Sequence, residues 1–309
     1  MKRFFKLIFC GFVLVFLGDL IIGTSLDYLY QNVKSGLFYR TSYSINKSTA
    51  DILIFGNSRA NHHYNPKIIE EETGLTCYNT GRDGQSIFFN TSVFKLILKR
   101  HKPKLVILDY GSNFQFGENN YDRISSLLPY YRRHKEELDD IITLRSRFEK
   151  LKLYSKIYPF NSLISTIIIG HTPYNKIRQG FVYNGFLPRS RTAKSITGSL
   201  KTIPELPNNI DSNLVKKFEE FILIAKDKNI NVVVVYSPKL FKKNKFDISL
   251  NIAMNICKEN DVKFVDLSES PVFVHKNNLF TDRTHLNSDG ANLFTKLLTQ
   301  YHLNNILSD

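Results

Sequence analysis

The sequence has few cysteines, no tryptophan and a shortage of acidic residues. Its 309 residues include only three cysteines, too few for the disulfide framework that staples small secreted domains. Cys10 lies in an N-terminal apolar segment, which leaves Cys77 and Cys257. We predict that these two residues are buried thiols, with a disulfide between them as the alternative.

Acidic residues number 28 against 42 lysines and arginines, so the net charge is +14. Such an excess favours an anionic partner, which could be an acidic glycan, a membrane surface or nucleic acid. No nucleic-acid-binding motif accompanies the charge, so nucleic acid is not among the predicted partners. The sequence also lacks internal repeats and low-complexity tracts. Its length suits one α/β domain of about 200 residues with insertions.

The N-terminal segment is apolar from Leu7 to Ile22, apart from Asp19, and follows a basic start. With the two phenylalanines before it, the run approaches the roughly 20 residues that span a bilayer. It lacks a clear Ala-x-Ala cleavage site, although residues 23–25 leave cleavage open. We predict that residues 1–23 are a signal anchor, with a cleaved signal peptide and a buried helix as alternatives. Because the positive charges precede the run, the remaining chain should be membrane-anchored on the extracytoplasmic side.

Ser58 follows an apolar run, Ile52 to Phe55, that predicts a buried strand. Gly56 and Asn57 then allow a sharp turn. A serine just past the carboxyl end of a strand lies where open α/β sheets bind their ligands. Its hydroxyl becomes a useful nucleophile only with a histidine base, a carboxylate to orient that base, and donors for the oxyanion. We therefore treat Ser58 as the candidate nucleophile, and its neighbours Asn57 and Arg59 as candidate substrate-binding residues.

Three further stretches supply the missing groups. Asp282 lies three residues before His285 in one predicted loop, so a short segment can deliver both the carboxylate and the base. Gly84 follows a second short strand, and Asn113 follows a third strand, from Leu105 to Leu108. The N–H groups of Ser58 and Gly84 and the Asn113 amide would form a three-donor oxyanion hole. This chemistry requires no cofactor and no metal ion.

These four stretches, in this order, resemble the blocks of the SGNH (GDSL-like) hydrolase superfamily. The matching positions are Ser58, Gly84, Asn113, Asp282 and His285, and the resemblance covers roughly residues 50–116 and 210–302. It implies a Ser-His-Asp ester hydrolase on an α/β fold. That fold is a three-layer sandwich with a central, mostly parallel sheet, here with a largely helical insertion and the N-terminal membrane helix.

The sequence departs from the family pattern at two positions. Asn57 stands where an aspartate often precedes the serine, and Phe114 stands where an aspartate often follows the asparagine. Neither position belongs to the triad, so the departures affect the subfamily more than the chemistry.

The order of strand and helix patterns predicts where the domains begin and end. Residues 51–309 form the predicted hydrolase domain, and residues 24–50 a membrane-proximal linker whose tyrosines either meet the bilayer interface or pack on the domain. Residues 117–210 interrupt the α/β rhythm with a basic, helical stretch that predicts a cap or insertion. This stretch could be a substrate platform for glycans, or an ordinary solvated face.

His62 and His63 form a histidine pair directly after the candidate nucleophile. Adjacent side chains point in different directions, and no cluster of carboxylates or cysteines accompanies them. We therefore predict that they lie at a pocket rim or on the surface, rather than in a metal site.

Together the motifs, the anchor and the charge predict a serine esterase acting on a cell-envelope polysaccharide. Water would resolve the acyl-enzyme in O-acyl (acetyl) ester hydrolysis, and a sugar hydroxyl would do so in O-acyl transfer. The expected partner is an acylated or anionic glycan, with the membrane reached through the N-terminal helix. The alternatives are a catalytically inactive polysaccharide-binding protein of the same fold and a membrane-associated lipase or phospholipase.

Overall fold

The computed structural model of the protein describes residues 1–111, 113–179, 182–193, 207–241 and 247–308. The chain divides into two compact units. The first joins Met1–Ser42 to Ile124–Arg178, and the second joins Tyr43–Arg123 to Gln179–Asp309. All the predicted site residues lie in the second unit.

A five-stranded parallel sheet forms the centre of the second unit, with the strand order β2-β1-β3-β4-β5. The strands are β1 Ile52–Phe55, β2 Cys77–Asn79, β3 Leu105–Asp109, β4 Asn231–Tyr236 and β5 Lys263–Asp266. In the register, Ile52 of β1 lies opposite both Cys77 and Leu105. The chain order reverses between β1 and β3, and such a switch point opens a crevice at the carboxyl ends of the strands. The predicted α/β fold with a parallel sheet is confirmed.

Helices follow most strands, as expected for parallel connections. The α-helices of the whole described chain are α1 Lys2–Gln31, α2 Gly36–Asn46, α3 Ser58–His63, α4 Pro66–Thr73, α5 Ile87–Leu98, α6 Glu118–Asp122, α7 Leu128–Tyr131, α8 Lys135–Arg145, α9 Glu149–Lys152, α10 Ile164–Gly170, α11 Tyr174–Gln179, α12 Ser212–Asp227, α13 Ile248–Glu259, α14 Ser288–Leu298 and α15 Asn304–Ser308. The shorter helical turns are Arg123–Leu127, Tyr158–Phe160, Pro207–Asn209, Asn277–Leu279 and Thr299–Leu303.

Both faces of the sheet are covered, which explains why β1, β3 and β4 are apolar apart from Asp109 at the end of β3 and Asn231 at the start of β4. Residues such as Ile54 and Val233 join one core cluster with Phe294 of α14. On the other face, Phe55 packs edge-on against Phe94 of α5 and Phe221 of α12. The sheet thus lies between two helical layers.

Capping residues set the helix ends: in the sequence, Asn65-Pro66 predicts the start of a helix and Gly74 predicts its end. The Asn65 side chain accepts a hydrogen bond from the Lys67 N–H to start α4, and Gly74 ends it in a left-handed conformation. Asn287 caps α14 in the same way, accepting from the Gly290 N–H at 3.0 Å. The cysteine prediction also holds, because Cys77 and Cys257 are buried free thiols. Burial raises the pKa of both, to about 12 for Cys257.

In the first unit, the last part of α1 packs into a small core. Tyr30 is fully buried against Tyr130 and Phe160. The segment predicted as a linker is therefore helical up to Gln31 and again over Gly36–Asn46. The predicted insertion is also divided, because residues 124–178 group with the N-terminal unit.

The first half of α1, unlike its last part, is not packed into this core. It is the one helix in the described part of the chain that is long and apolar enough to cross a membrane, and the stretch responsible has no buried residue.

Candidate active site

The turn after β1 places Ser58 at the start of α3. Gly56 has φ +146°, and a Cβ there would lie 2.7 Å from the Ala60 Cβ, so no larger residue fits. The Asn57 side chain accepts a hydrogen bond from the Arg59 N–H at 3.0 Å and caps the helix. Ser58 is thereby the first residue of a helix that begins at the carboxyl edge of the sheet.

Ser58, His285 and Asp282 form one hydrogen-bonded chain. The Ser58 Oγ lies 2.7 Å from the His285 Nε2, although the two residues are 227 positions apart. The His285 Nδ1 lies 3.0 Å from the Asp282 Oδ1 and 2.9 Å from its Oδ2. If Nδ1 carries the proton and donates to the carboxylate, Nε2 is left as the acceptor for the serine proton. This is the arrangement that a general base requires.

Local hydrogen bonds fix the Asp282 carboxylate. The backbone N–H groups of Thr284 and His285 donate to its Oδ1 at 2.9 and 3.0 Å. Partial burial alone would raise the pKa of Asp282, but the hydrogen bonds from His285 and from the Thr284 N–H outweigh it, so the pKa is well below its ordinary value. The group is therefore ionised at neutral pH.

His63 supports the loop that carries His285. Its Nε2 accepts the Leu286 N–H at 3.1 Å, and its Nδ1 lies 3.0 Å from the Ser237 Oγ. Burial, followed by nearby positive charge from Arg59, lowers the pKa of His63 well below its ordinary value. His63 is thus a neutral, buried support for the backbone next to the base.

The histidine pair was predicted at a pocket rim or on the surface; a surface position is wrong, because His62 and His63 are 2% and 0% exposed, and the pocket rim stays a prediction. The side chains do point in different directions, as predicted. A sequence signal for His62 exists in hindsight: it lies four residues after Ser58, and residues four apart share one face of a helix.

Arg59 is not placed to bind a substrate. It is 4% exposed, its guanidinium bonds the Tyr110 carbonyl, and its Nη2 lies 3.3 Å from the Asp109 Oδ1. The Cζ also lies 4.7 Å from the centre of the Tyr236 ring. Because the buried Asp109 carboxylate needs a counter-charge, Arg59 turns inward and ties the start of α3 to the ends of β3 and β4.

The loops carrying the predicted oxyanion donors converge on the Ser58 turn. The Thr80 N–H donates to the Ile54 carbonyl at 2.8 Å, and the Arg82 N–H donates to the Gly56 carbonyl at 3.1 Å. These bonds hold the loop of Gly84 beside the end of β1. Gly84 itself has φ +70°, a conformation that favours glycine.

The three predicted oxyanion donors have no hydrogen-bond acceptor among the described residues. No residue in the described ranges accepts a hydrogen bond from the backbone N–H of Ser58 or Gly84, or from the amide of exposed Asn113. Their role as an oxyanion hole stays a prediction.

A cavity of about 20 Å³ lies beside these loops. Asn57, Gly111 and Asn113 line it, together with Asn90, whose Oδ1 has no partner among the described residues. The remaining wall is largely apolar, with Ile87, Leu108, Phe114, Leu214 and Phe218. A space of this size holds about one water molecule or one methyl group.

A second charged cluster lies beside the triad, and sequence analysis did not predict it. The Asp83 Oδ2 lies 3.1 Å from the His62 Nε2, and the Asn61 amide donates to the Asp83 Oδ1 at 2.6 Å. Arg189 reaches the same His62 nitrogen with its Nη2 at 3.1 Å and donates from Nη1 to the Asp282 Oδ2 at 3.3 Å. Burial would raise the pKa of Asp83, but its hydrogen bonds to His62 and Asn61 hold it well below the ordinary value.

Solved structures of esterases and hydrolases are similar to this chain at low identity. A catalytic mutant of an acetylxylan esterase from Geobacillus stearothermophilus is 12% identical, covering 80% of this chain and 91% of its own, with a TM-score of 0.40. A structure assigned to a lipolytic protein of the G-D-S-L family from Desulfitobacterium hafniense is 12% identical, with coverages of 81% and 97% and a TM-score of 0.34. An α/β hydrolase enzyme from the metagenome of Lake Arreo, Spain, is 10% identical, with coverages of 82% and 96% and a TM-score of 0.39.

No family model matches the sequence, and no curated protein sequence is similar to it. The similar structures include one assigned to the G-D-S-L family. Because all three TM-scores are below 0.5, the function proposed next rests on the residues of this chain.

Proposed function

We propose that the protein is a serine ester hydrolase of the SGNH type. The observation that carries this proposal is the hydrogen-bonded chain from the Ser58 Oγ through His285 to Asp282, with 2.7 Å between the Ser58 Oγ and the His285 Nε2. A hydroxyl, a base and an ionised carboxylate in this order form the arrangement that serine hydrolases use on unrelated folds.

In the proposed reaction, the Ser58 Oγ attacks the ester carbonyl carbon while the His285 Nε2 takes its proton. Asp282 stabilises the resulting imidazolium. The tetrahedral oxyanion is bound by the Ser58 and Gly84 N–H groups and the Asn113 amide, and the loss of one such donor costs roughly 10²–10³ in rate. The C–O bond to the leaving group then breaks, and His285 returns the proton to the departing oxygen.

A second nucleophile must release the acyl group from Ser58. Water attacking the acyl-enzyme, with His285 again as the base, completes ester hydrolysis. A sugar hydroxyl in place of water would give O-acyl transfer by the same residues. We propose hydrolysis as the basal reaction, since water always reaches a half-exposed site.

The acyl group in this proposal is short, with acetyl as the first candidate. A lipase would instead prefer long-chain esters, and the comparison of ester chain lengths described below separates the two. The proposed acceptor is an acetylated or anionic cell-envelope polysaccharide, supported by the net charge of +14 and by the N-terminal helix.

We further propose that α1 is an uncleaved anchor. The only stretch that left cleavage open, residues 23–25, lies inside the helix, and Gly23 is buried where a Cβ would clash with the Lys156 Cβ. Cleavage there would cut through a packed element whose later residues, Leu26 and Tyr30, are also buried. The basic N-terminus would remain inside, with the rest of the chain exported.

The experiment compares full-length protein with its Ser58→Ala variant on p-nitrophenyl acetate, butyrate and octanoate. Ser212→Ala is the matched control, because Ser212 is also the first residue of a helix but is exposed. We expect Ser58→Ala to lose at least about 10³ in kcat/KM and Ser212→Ala to be unchanged. Acetate should exceed octanoate by about tenfold or more.

A fluorophosphonate probe provides a readout that is independent of the substrate chosen. Labelling of the wild type and of Ser212→Ala, but not of Ser58→Ala, is the expected result. If the wild type stays unlabelled under conditions where a known esterase reacts, the proposed esterase activity is refuted. The polysaccharide-binding alternative is then favoured.

A further inference from the structure

Asp19 is the one acidic residue in the apolar part of α1, and a single loop binds it. Its Oδ1 accepts from the Ser155 hydroxyl at 2.5 Å, and its Oδ2 accepts from the Lys156 N–H at 2.7 Å. The Ile157 N–H also donates to Oδ1, at 3.2 Å. A carboxylate with three donors is stable near an apolar region only while those donors stay in place. The loop of residues 155–157 is therefore fixed at the level of Asp19 on the helix.

Gly23 strengthens this attachment one turn further along. A Cβ at Gly23 would clash with side-chain and backbone atoms of Lys156, so only glycine lets the loop lie directly against α1. Asp19 and Gly23 are four residues apart and thus share one face of the helix. Asp19 and Gly23 together form the binding site on α1 for the loop of residues 155–157, here called the seat.

The position of this seat along α1 determines its depth in a bilayer. An α-helix rises about 1.5 Å per residue, so residues 2–18 extend about 25 Å, close to the roughly 30 Å of a hydrocarbon core. All of these residues except Gly18 are exposed. Asp19, and the loop bound to it, therefore lie where α1 leaves the hydrocarbon.

Large apolar side chains are exposed beside this seat. Tyr154, which precedes the bound loop, is 83% exposed, and Leu151 is 65% exposed. Lysines 150, 152 and 156 alternate with them. A tyrosine ring with a polar tip, an aliphatic side chain and lysines with long apolar stems are the residue types found at the membrane–water boundary.

We propose that residues 151–156, here called the collar, insert into the headgroup layer of the bilayer that α1 spans. The partner is thus a phospholipid surface, and the proposal rests on the proposed membrane anchoring. Two collar-region lysines are already paired, Lys150 with Asp139 and Lys152 with the buried Glu149. Insertion therefore depends mainly on Tyr154 and Leu151, and a zwitterionic bilayer suffices.

The residues of α1 after Asp19 show how far from the hydrocarbon other exposed side chains lie. Arg133 bonds Asp27 with its Nη1 at 2.8 Å, eight positions and about 12 Å beyond Asp19 along the helix. Tyr28 lies beside Asp27 and is 69% exposed. It resembles Tyr154 in type and exposure but lies above the headgroup layer, so it is the matched control.

The lack of tryptophan in the chain makes a direct test feasible. Full-length Phe12→Trp, Tyr154→Trp and Tyr28→Trp variants are reconstituted into phosphatidylcholine vesicles whose acyl chains are brominated near the headgroup or near the chain end. Bromine quenches only a tryptophan that contacts it. We expect Phe12→Trp to be quenched most by the deep label, and Tyr154→Trp by the shallow label, about threefold more strongly than Tyr28→Trp.

The possible results distinguish a failure of the collar proposal from a failure of the anchoring proposal. An unquenched Phe12→Trp would overturn the anchoring itself. Quenching of Phe12→Trp, with Tyr154→Trp quenched no more than Tyr28→Trp, would overturn the collar and leave the anchor intact. A Tyr154→Trp emission that is blue-shifted but unquenched would also overturn it, because a protein surface such as a second copy would then cover the residue.

Discussion

Arg189 connects Asp282, the carboxylate that orients His285, to the loop that carries Gly84. Its Nη1 lies 3.3 Å from the Asp282 Oδ2, and its Nη2 lies 4.0 Å from the carboxylate of Asp83, the residue before Gly84. The same segment is held by its backbone to the loop that carries Asp282 and His285, since the Ser288 N–H donates to the Arg189 carbonyl at 2.8 Å. One guanidinium therefore sets the distance between the base and a proposed oxyanion donor.

Replacing Arg189 by methionine should lower kcat by about 10–100-fold with little change in KM, because small displacements of catalytic groups have effects of this order. Arg189→Lys should recover only part of the rate, since an ammonium group cannot reach both carboxylates as a planar guanidinium does. Steady-state kinetics on p-nitrophenyl acetate measure both effects. Arg191→Met, an exposed neighbour in the same segment, is the control. Equal rates for the Arg189 and Arg191 variants would contradict the positioning role.

Asp83 and Asp282 should make the stability depend on acid pH. Both have a lowered pKa in the folded protein, because hydrogen bonds from His62 and His285, respectively, outweigh the effect of burial. The unfolded chain then binds more protons, so their contribution is present above about pH 4 and is lost as the pH falls through the folded pKa values.

Urea unfolding between about pH 7 and pH 3 measures this contribution. The midpoint of the wild type should fall more steeply than that of Asp83→Asn, which has no carboxylate to protonate at this position. Asp227→Asn, at an exposed site that pairs only with Lys228 among the described residues, should keep the wild-type slope. Parallel curves for the wild type and Asp83→Asn would show that the Asp83 contacts do not contribute.

Gly56→Ala should destabilise the fold and abolish the proposed activity together. The alanine Cβ would meet Ala60 at 2.7 Å and Asp109 at 3.0 Å, in a backbone conformation that alanine rarely adopts. We expect a loss of about 1–3 kcal/mol in the free energy of unfolding from backbone strain. Gly74→Ala tests strain without crowding. Gly74 has φ +69°, but no described atom beyond its chain neighbours and its own helix lies within 4 Å of the place that its new methyl group would take. That variant should lose stability yet remain active, and an inactive Gly74→Ala would rule out a local effect at the Ser58 turn.

His63→Leu should slow the reaction although His63 touches no substrate in the proposed mechanism. The substitution leaves the buried Leu286 N–H without its partner, at a cost of about 1–3 kcal/mol, and the Ser237 hydroxyl keeps only its bond to Tyr64. Because Leu286 follows His285, part of this cost should appear as a lower kcat through a displaced base. Thermal unfolding and kinetics measure the two effects. Asn255→Leu, at an exposed position of α13, should change neither, and an unaltered kcat in His63→Leu would show that the base is held by other contacts.

The sequence was sufficient for features whose causes are local. An uninterrupted apolar run before Gly56 predicted β1, and the Asn65-Pro66 and Gly74 signals predicted both ends of α4, because caps and turns act within a few residues. Asp282 and His285 could be paired for the same reason, since three positions separate them. The parallel sheet followed from the alternation of strand and helix patterns.

Only the tertiary structure showed what surrounds these elements. Arg59 and His63 were predicted outside the core and are buried, because their partners Asp109, Ser237 and Leu286 lie far along the chain. Arg189 and Asp83 carry no local signal of the network they join. Residues 24–50 were predicted as a linker, since the sequence does not show that the helical residues up to Ser42 form one unit with residues 124–178. Hydrogen bonds and burial depend on which distant segments meet, and packing of the whole chain decides that.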